Sequence, residues 1–395
     1  MILCCCIFVG CAENDSAVNI DKTTLKYFQE SYEKCRDRFS SLSKDLQKKF
    51  NNVEEIVIPV PSRVGDDLTI NCCYIPAQNN TEKLLIMSSG VHGVEGFAGS
   101  AVQQMFMNEI ISSMDLTNIG VFLIHAMNPY GFKVVRRVTE NNIDLNRNAD
   151  IDKELFKTKN EGYSELNALL NPEKKVDISS FENRFFLIKA VIMIVKHSLS
   201  SLRQAIMQGQ YDFEKGLYFG GSDSELQISA ITPVLLEKTR DYKTVLAIDL
   251  HTGYGEKNRL HLFPNPAKNE KVRNAIYRIF DGYKIDWGDT EDFYTVNGDF
   301  SDFIGKIIPD KFYIPMTFEY GTMDSQTTTG SVKSIHIMIL ENQGFHYGYV
   351  SSDDEIEVKK RFREMYYPLS EEWRSEVIRQ TREILPTALK RYQDL

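Results

Sequence analysis

Leu84-Leu85-Ile86-Met87-Ser88-Ser89-Gly90-Val91-His92-Gly93-Val94-Glu95-Gly96 is the stretch that decides the fold. Leu84 to Met87 is an unbroken apolar run, as expected of a strand buried on both faces of a sheet. Ser88-Ser89-Gly90 ends it, a glycine-flanked polar loop follows, and Gly99 to Met114 has helical periodicity. Strand, loop and helix in that order are the unit of an α/β sheet, and such sheets carry their chemistry beyond the carboxyl ends of the strands.

The same pattern recurs on either side. Glu54 to Pro59 and Leu68 to Ile75 read as strands parted by the turn Arg63-Val64-Gly65-Asp66-Asp67. Further strands are expected at Gly120 to His125, Val245 to Leu250 and Phe312 to Phe318. Thr23 to about Asn51 carries apolar residues at helical spacing, and Asp354 to the C-terminus is largely helical. Residues 151–240 are mostly helical, with a glycine-rich turn at Gly216 to Gly221, and read as an insertion between strands. The expectation is a mixed, twisted α/β sheet flanked by helices, with residues 21–395 forming a single catalytic domain.

Composition sets outer bounds. Apolar content of 42% and charged content of 26% are those of a globular protein. A net charge of −9 argues against nucleic acid as a partner. None of the seven cysteines forms a CxxC pair with zinc spacing, so a metal would be held by His and carboxylate. Cys72 and Cys73 read as packing residues. Phe185 to Val195 is very apolar but too short to span a bilayer, and a buried helix is expected there.

Met1 to Cys11 is apolar and ends in Phe8-Val9-Gly10-Cys11, which resembles a bacterial lipoprotein signal. Residues 1–20 would then be a leader and tether, with a lipidated Cys11 attaching the chain to the membrane of the cell envelope. Against this, the stretch has no basic start and is short for a signal. A cytoplasmic chain is the alternative, and both readings stay open on the sequence.

The strand ends carry the chemistry. His92 and Glu95 lie three positions apart in the loop after the first run, so both side chains can reach one ion from a single turn. His251 follows Val245 to Leu250 and is the best-placed third ligand, leaving a fourth position for water as catalytic zinc requires. Asp249 faces the same side two residues earlier and could orient a ligand. A bare HxxE is a weak signal; the joint placement at strand ends is what strengthens it. His125 and His261 compete for the third position, and His125, which also ends a strand, is kept as a candidate for supporting a ligand or lining the pocket. Arg136, Arg137, Asn146 and Arg147 gather donors suited to a carboxylate or a developing oxyanion. Glu319 emerges from the apolar Tyr313 to Phe318 run, where desolvation would raise its basicity.

These segments resemble the zinc carboxypeptidase superfamily, which includes the aspartoacylase and succinylglutamate desuccinylase group, and most nearly a poorly characterised carboxypeptidase-like family within it. That family's segments read here as His92 to Gly96, Asn128 to Phe132, Arg136 to Asn148, Gly216 to Gly221 and Asp249 to Gly253. The resemblance implies a zinc-carboxypeptidase-like fold with Zn2+ on His92, Glu95 and His251, and Glu319 as general base. It implies that Arg137 polarises the scissile carbonyl, with Arg136 the lesser candidate, and that Asn146 and Arg147 grip the substrate carboxylate. Tyr294, in the Tyr-x-x-x-Gly-x-x-x-Asp-aromatic spacing with Gly298, Asp302 and Phe303, is the implied mobile substrate-binding tyrosine. Three departures bear on the substrate: Val94 stands where digestive carboxypeptidases have Arg, Ser301 occupies the specificity floor, and the insertion could narrow the cleft.

The expected activity is zinc-dependent cleavage of an amide beside a free carboxylate, on a peptide as in a carboxypeptidase. The alternative substrate is an N-acyl amino acid, and a third reading is a zinc-binding protein without turnover.

Overall fold

The computed structural model describes residues 20–65, 67–264, 269–287 and 296–395. Among them the strands are β1 (Glu54–Pro59), β2 (Thr69–Ile75), β3 (Lys83–Ser89), β4 (Ile119–His125), β5 (Thr244–Gly253), β6 (Leu260–Phe263) and β7 (Phe312–Gly321). Helices α1 (Tyr32–Lys49), α2 (Gly96–Met105) and α3 (Pro129–Val134) belong to the first half. Between α3 and β5 lie α4 (Glu161–Leu170), α5 (Phe181–Arg184), α6 (Phe186–His197), α7 (Leu199–Met207) and α8 (Leu226–Thr239). The second half adds α9 (Glu270–Ile279), α10 (Phe300–Ile307), α11 (Thr328–Tyr347), α12 (Ser352–Tyr366) and α13 (Glu371–Gln393).

The sheet order is β1-β2-β4-β3-β5-β7-β6. β4, β3, β5 and β7 run parallel to one another, while β1–β2, β2–β4 and β6–β7 pair antiparallel. This is the expected mixed α/β sheet flanked by helices. The central strands lack polar alternation because both of their faces are covered; Leu84 to Met87 are fully buried.

Parallel pairing places the carboxyl ends of β3, β5 and β7 at one edge. Ser88 sits opposite Asp249, which sits opposite Thr317; two residues on, His251 sits opposite Glu319. Side chains alternate along a strand, so Asp249 and His251 share a face, as do Thr317 and Glu319.

Several expectations need adjusting. The N-terminal helix is split: a 3-10 turn at Lys22–Tyr27 precedes α1, whose start is fixed by Ser31 accepting from the Lys34 amide. β6 was not foreseen, because four residues bounded by Arg259 and Pro264 give too little pattern for an edge strand. Cys72 and Cys73 are free and buried in packing, as read.

The apolar helix expected to be buried is not. α6 buries Phe186 and Ala190 but exposes Leu187, Ile188, Val191, Ile192 and Val195, with Val195 83% exposed. It is apolar on both faces, and only one has packing partners. Among the described residues no helix is long and apolar enough to cross a membrane. The expected leader, with Cys11, lies outside the described residues.

Candidate metal centre

Three parts of the chain converge at the edge where β3, β5 and β7 end. The loop after β3 turns through His92 and a 3-10 turn, Gly93–Glu95, straight into α2. Gly93 permits this tight turn, since a Cβ there would lie 2.2 Å from the Gly131 carbonyl carbon. His251 is delivered by β5 and Glu319 by β7.

His92, Glu95 and His251 are buried, and one ligand atom of each lies within 4.8 Å of the others. His92 Nδ1 is 2.8 Å from Glu95 Oε1, His251 Nδ1 is 2.9 Å from Glu95 Oε2, and the two Nδ1 atoms are 3.2 Å apart. Tetrahedral zinc with bonds of about 2.0–2.1 Å would set its donors roughly 3.3 Å apart, so the spacing fits such an ion within a few tenths of an ångström. The outer nitrogens are also dressed for it. His251 Nε2 lies 2.8 Å from Asp249 Oδ2, and Asp249 Oδ1 accepts from Ser88 Oγ at 2.7 Å. His92 Nε2 lies 3.2 Å from Asp144 Oδ1. Carboxylates on the outer nitrogens keep the protons there and turn both Nδ1 lone pairs towards a cation. Arg137 Nη2 is 2.6 Å from the same His92 Nε2. Once Nδ1 holds a cation, Nε2 carries the proton, and Asp144 is the acceptor beside it.

Asp144 is the residue whose importance the sequence reading missed. Its Oδ2 accepts from Arg137 Nε at 3.0 Å and its Oδ1 from the Asn146 amide at 3.0 Å, so one buried carboxylate orients His92, Arg137 and a loop. Burial works against its charge, but Arg137, His92 and Arg147 outweigh burial and hold its pKa well below the carboxylate range. Its place in Asp144-Leu145-Asn146-Arg147 was the available signal.

Glu95 loses solvation on burial, yet the neighbouring His92 and His251 hold its pKa far below normal. Its Oε2 also accepts from the Thr252 amide at 2.9 Å. Glu319 behaves oppositely: burial and the nearby Glu95 charge push it up to about 8, against the pull of His251, the Tyr254 amide and Arg137. That amide donates to Glu319 Oε1 at 2.8 Å. Two carboxylates in one site are thus driven to opposite states.

Arg137 also lies 3.5 Å from Glu95 Oε1 and 5.2 Å from the centre of the Tyr218 ring. Arg147 is held by its own backbone neighbourhood: Nε donates to Met207 O and Nη1 to Asn146 O. Gly209 and Gly298, at φ 96° and 67°, make this seat possible. A Cβ on Gly209 would meet Arg147 Cδ at 2.7 Å, and one on Gly298 would meet Arg147 O at 2.4 Å. Asn146 Oδ1 accepts from the Phe300 amide, which leaves its NH2 group for the cavity. His92, Glu95, Arg137, Asn146, Arg147, His251 and Glu319 all line one cavity of about 470 Å³.

Arg136 is not brought to this cavity. It is buried in an ion pair with Glu341 at 2.8 Å, bonded to Asn142 and Asn342, and stacked on Phe345 at 3.6 Å. Adjacent residues leaving a helix end point apart, and Arg136 points inward. Arg136→Met is therefore expected to cost about 3–5 kcal/mol by stranding a buried carboxylate. Chemical denaturation would show this as a lowered midpoint, with metal content per folded chain unchanged. His125 is also a core residue: fully buried, bonded to Ser100 Oγ, stacked on Phe39, and lowered by burial to about 3. His261 is tied to Asp286 and the Glu256 amide. Ser301 is buried against Tyr313. Tyr294 lies outside the described residues.

Solved structures similar to this chain include bovine thrombin-activatable fibrinolysis inhibitor bound to tick carboxypeptidase inhibitor, at 14% identity and TM-score 0.45, covering 81% of this chain and 98% of that one. Carboxypeptidase A from Helicoverpa armigera matches at 16% identity and TM-score 0.42, covering 85% and 73%. A succinylglutamate desuccinylase from Silicibacter sp. matches at 13% identity and TM-score 0.35, covering 75% and 67%. Scores below 0.5 leave the chemistry to be read from the side chains themselves. Comparison with curated proteins gives no match. Nothing in these comparisons supports lipidation or membrane attachment. The family model described as "Protein of unknown function (DUF2817)" matches residues 28–380, bearing out the resemblance to a poorly characterised family; the chain belongs to the DUF2817 family.

Proposed function

We propose that this protein is a zinc-dependent hydrolase that cleaves an amide bond on a substrate whose amine-side residue keeps a free carboxylate. The observation that carries the reading is the placement of Glu319, Arg137, Arg147 and Asn146 around the same cavity as the His92–Glu95–His251 cluster. A purely structural metal site has no use for a base or for anion donors.

His92, Glu95 and His251 would hold the ion, which when bound supplies Lewis acidity and lowers the pKa of water. Glu319 takes a proton from the attacking water at a carboxylate oxygen and returns it to the leaving nitrogen. Arg137, fixed by Asp144, offers its remaining N–H groups to the carbonyl oxygen as negative charge builds there. Arg147 Nη2 and the Asn146 NH2 group hold the substrate carboxylate, which sets the scissile bond against Glu319. Binding energy from that carboxylate is thereby used to position the reacting atoms.

An N-acyl amino acid satisfies this pattern as well as a peptide does. The apolar surroundings of the cavity favour it, because an acyl chain brings fewer backbone amides to desolvate.

The test compares a substrate carrying a free carboxylate with its carboxamide, using zinc-loaded protein. The free acid is expected to have at least a ~10–100-fold higher kcat/KM, the value of charged hydrogen bonds at about 1.5–3 kcal/mol. Arg147→Met is expected to erase most of that preference. Equal rates on acid and carboxamide would remove the carboxylate from the proposal.

A further inference from the structure

We infer that the acyl side of the substrate is a long aliphatic chain, housed in an apolar chamber that α4, α6 and α7 build beside the metal centre. This rests on the hydrolase reading above and narrows it to a substrate class.

Every cavity-lining residue that these three helices contribute is apolar except Arg203. Leu166 and Leu170 come from α4, Phe186 and Met193 from α6, and Leu202 and Ile206 from α7. The Arg203 guanidinium is engaged, donating to Gln326 O and Ser331 Oγ. Helical backbone satisfies its own N–H and C=O groups, so this wall has little to offer a peptide's amides. Each amide group left unpaired there would lose the hydrogen bonds it makes to water. A polymethylene chain brings none, and flexible Leu, Ile and Met side chains pack well around it.

The chamber is continuous with a second apolar core that includes Val94, between the ligands His92 and Glu95. A neutral residue at that position keeps charge off the apolar side of the loop. Size agrees: about 470 Å³ is roughly three times the ~150 Å³ cavity that holds one benzene. That leaves room for the amide head and an acyl chain of roughly eight to twelve carbons. Hydrolysis would break the amide C–N bond, give the acyl carbon the hydroxyl of water and the nitrogen its proton, and release a fatty acid with an amino acid.

The experiment uses N-acylglycines with acetyl, butanoyl, octanoyl and dodecanoyl chains. Binding to zinc-loaded Glu319→Gln protein is measured by calorimetry, and turnover is followed on the zinc-loaded wild type. Affinity is expected to rise about 4-fold per added methylene, from ~0.8 kcal/mol each, until the chamber fills. Ala190→Phe, which fills part of the wall, should move the best length to shorter chains; if that variant does not fold, the wild-type series decides alone. Affinity and rate indifferent to length, with acetylglycine or a peptide still cleaved, would overturn the chamber and spare the hydrolase. Tight, length-dependent binding with no turnover would uphold the chamber and overturn the hydrolase. No binding and no turnover for any member would overturn both.

Discussion

Glu319→Gln is expected to lower kcat by about 10²–10⁴ while each chain still binds one zinc ion. The substitution keeps shape and keeps an oxygen to accept from the Tyr254 amide at 2.8 Å, so the end of β7 has no reason to move. What it removes is the atom that can take and return a proton. Glu319 suits that task because burial and the Glu95 charge hold its proton more tightly than a solvated carboxylate would. It is not among the three clustered donors, so metal content should be untouched. Single-turnover kinetics with metal analysis on the same sample would check both halves. A variant within about threefold of the wild type would mean that another group is the base.

His251→Ala is expected to abolish metal binding under dialysis against a mild chelator and to reduce activity to background. Two donors from one turn remain, and they cannot close a tetrahedral site. Asp249→Asn is the graded companion. It leaves all three ligands but weakens the acceptor on His251 Nε2, and should cost about 10–100-fold in zinc affinity. Circular dichroism guards the comparison, because in the ion-free protein His251 also bridges Glu95 and Asp249. Full zinc retention by folded His251→Ala would end the proposed ligand set.

Much of the fold was legible because buried parallel strands write themselves as apolar runs. β5 and β7 run past their expected ends at Leu250 and Phe318 to Gly253 and Gly321, because the ladder continues through His251 and Glu319, whose polarity closes the apolar run. The three clustered donors were readable for the same reason: each follows a run whose end must reach one edge. Arg136 was not, because its sequence neighbourhood is as basic as that of Arg137, and only the tertiary position of Glu341 separates them. Asp144 escaped notice because a carboxylate among arginines reads as a salt-bridge partner. α6 escaped because composition cannot say which of two apolar faces will find a partner.

That two-faced helix has a consequence for how a ligand would reach the cavity. α6 is secured mainly through Phe186, Ala190 and their neighbours, and it joins α7 at Ser198, whose φ is 66°. An element with so few anchors breathes at far lower cost than the central strands. On the proposed function, an acyl tail would enter past this hairpin while the sheet keeps Glu319 and the His92–Glu95–His251 cluster in register, so tail recognition and bond cleavage would fall to separately moving parts of the protein.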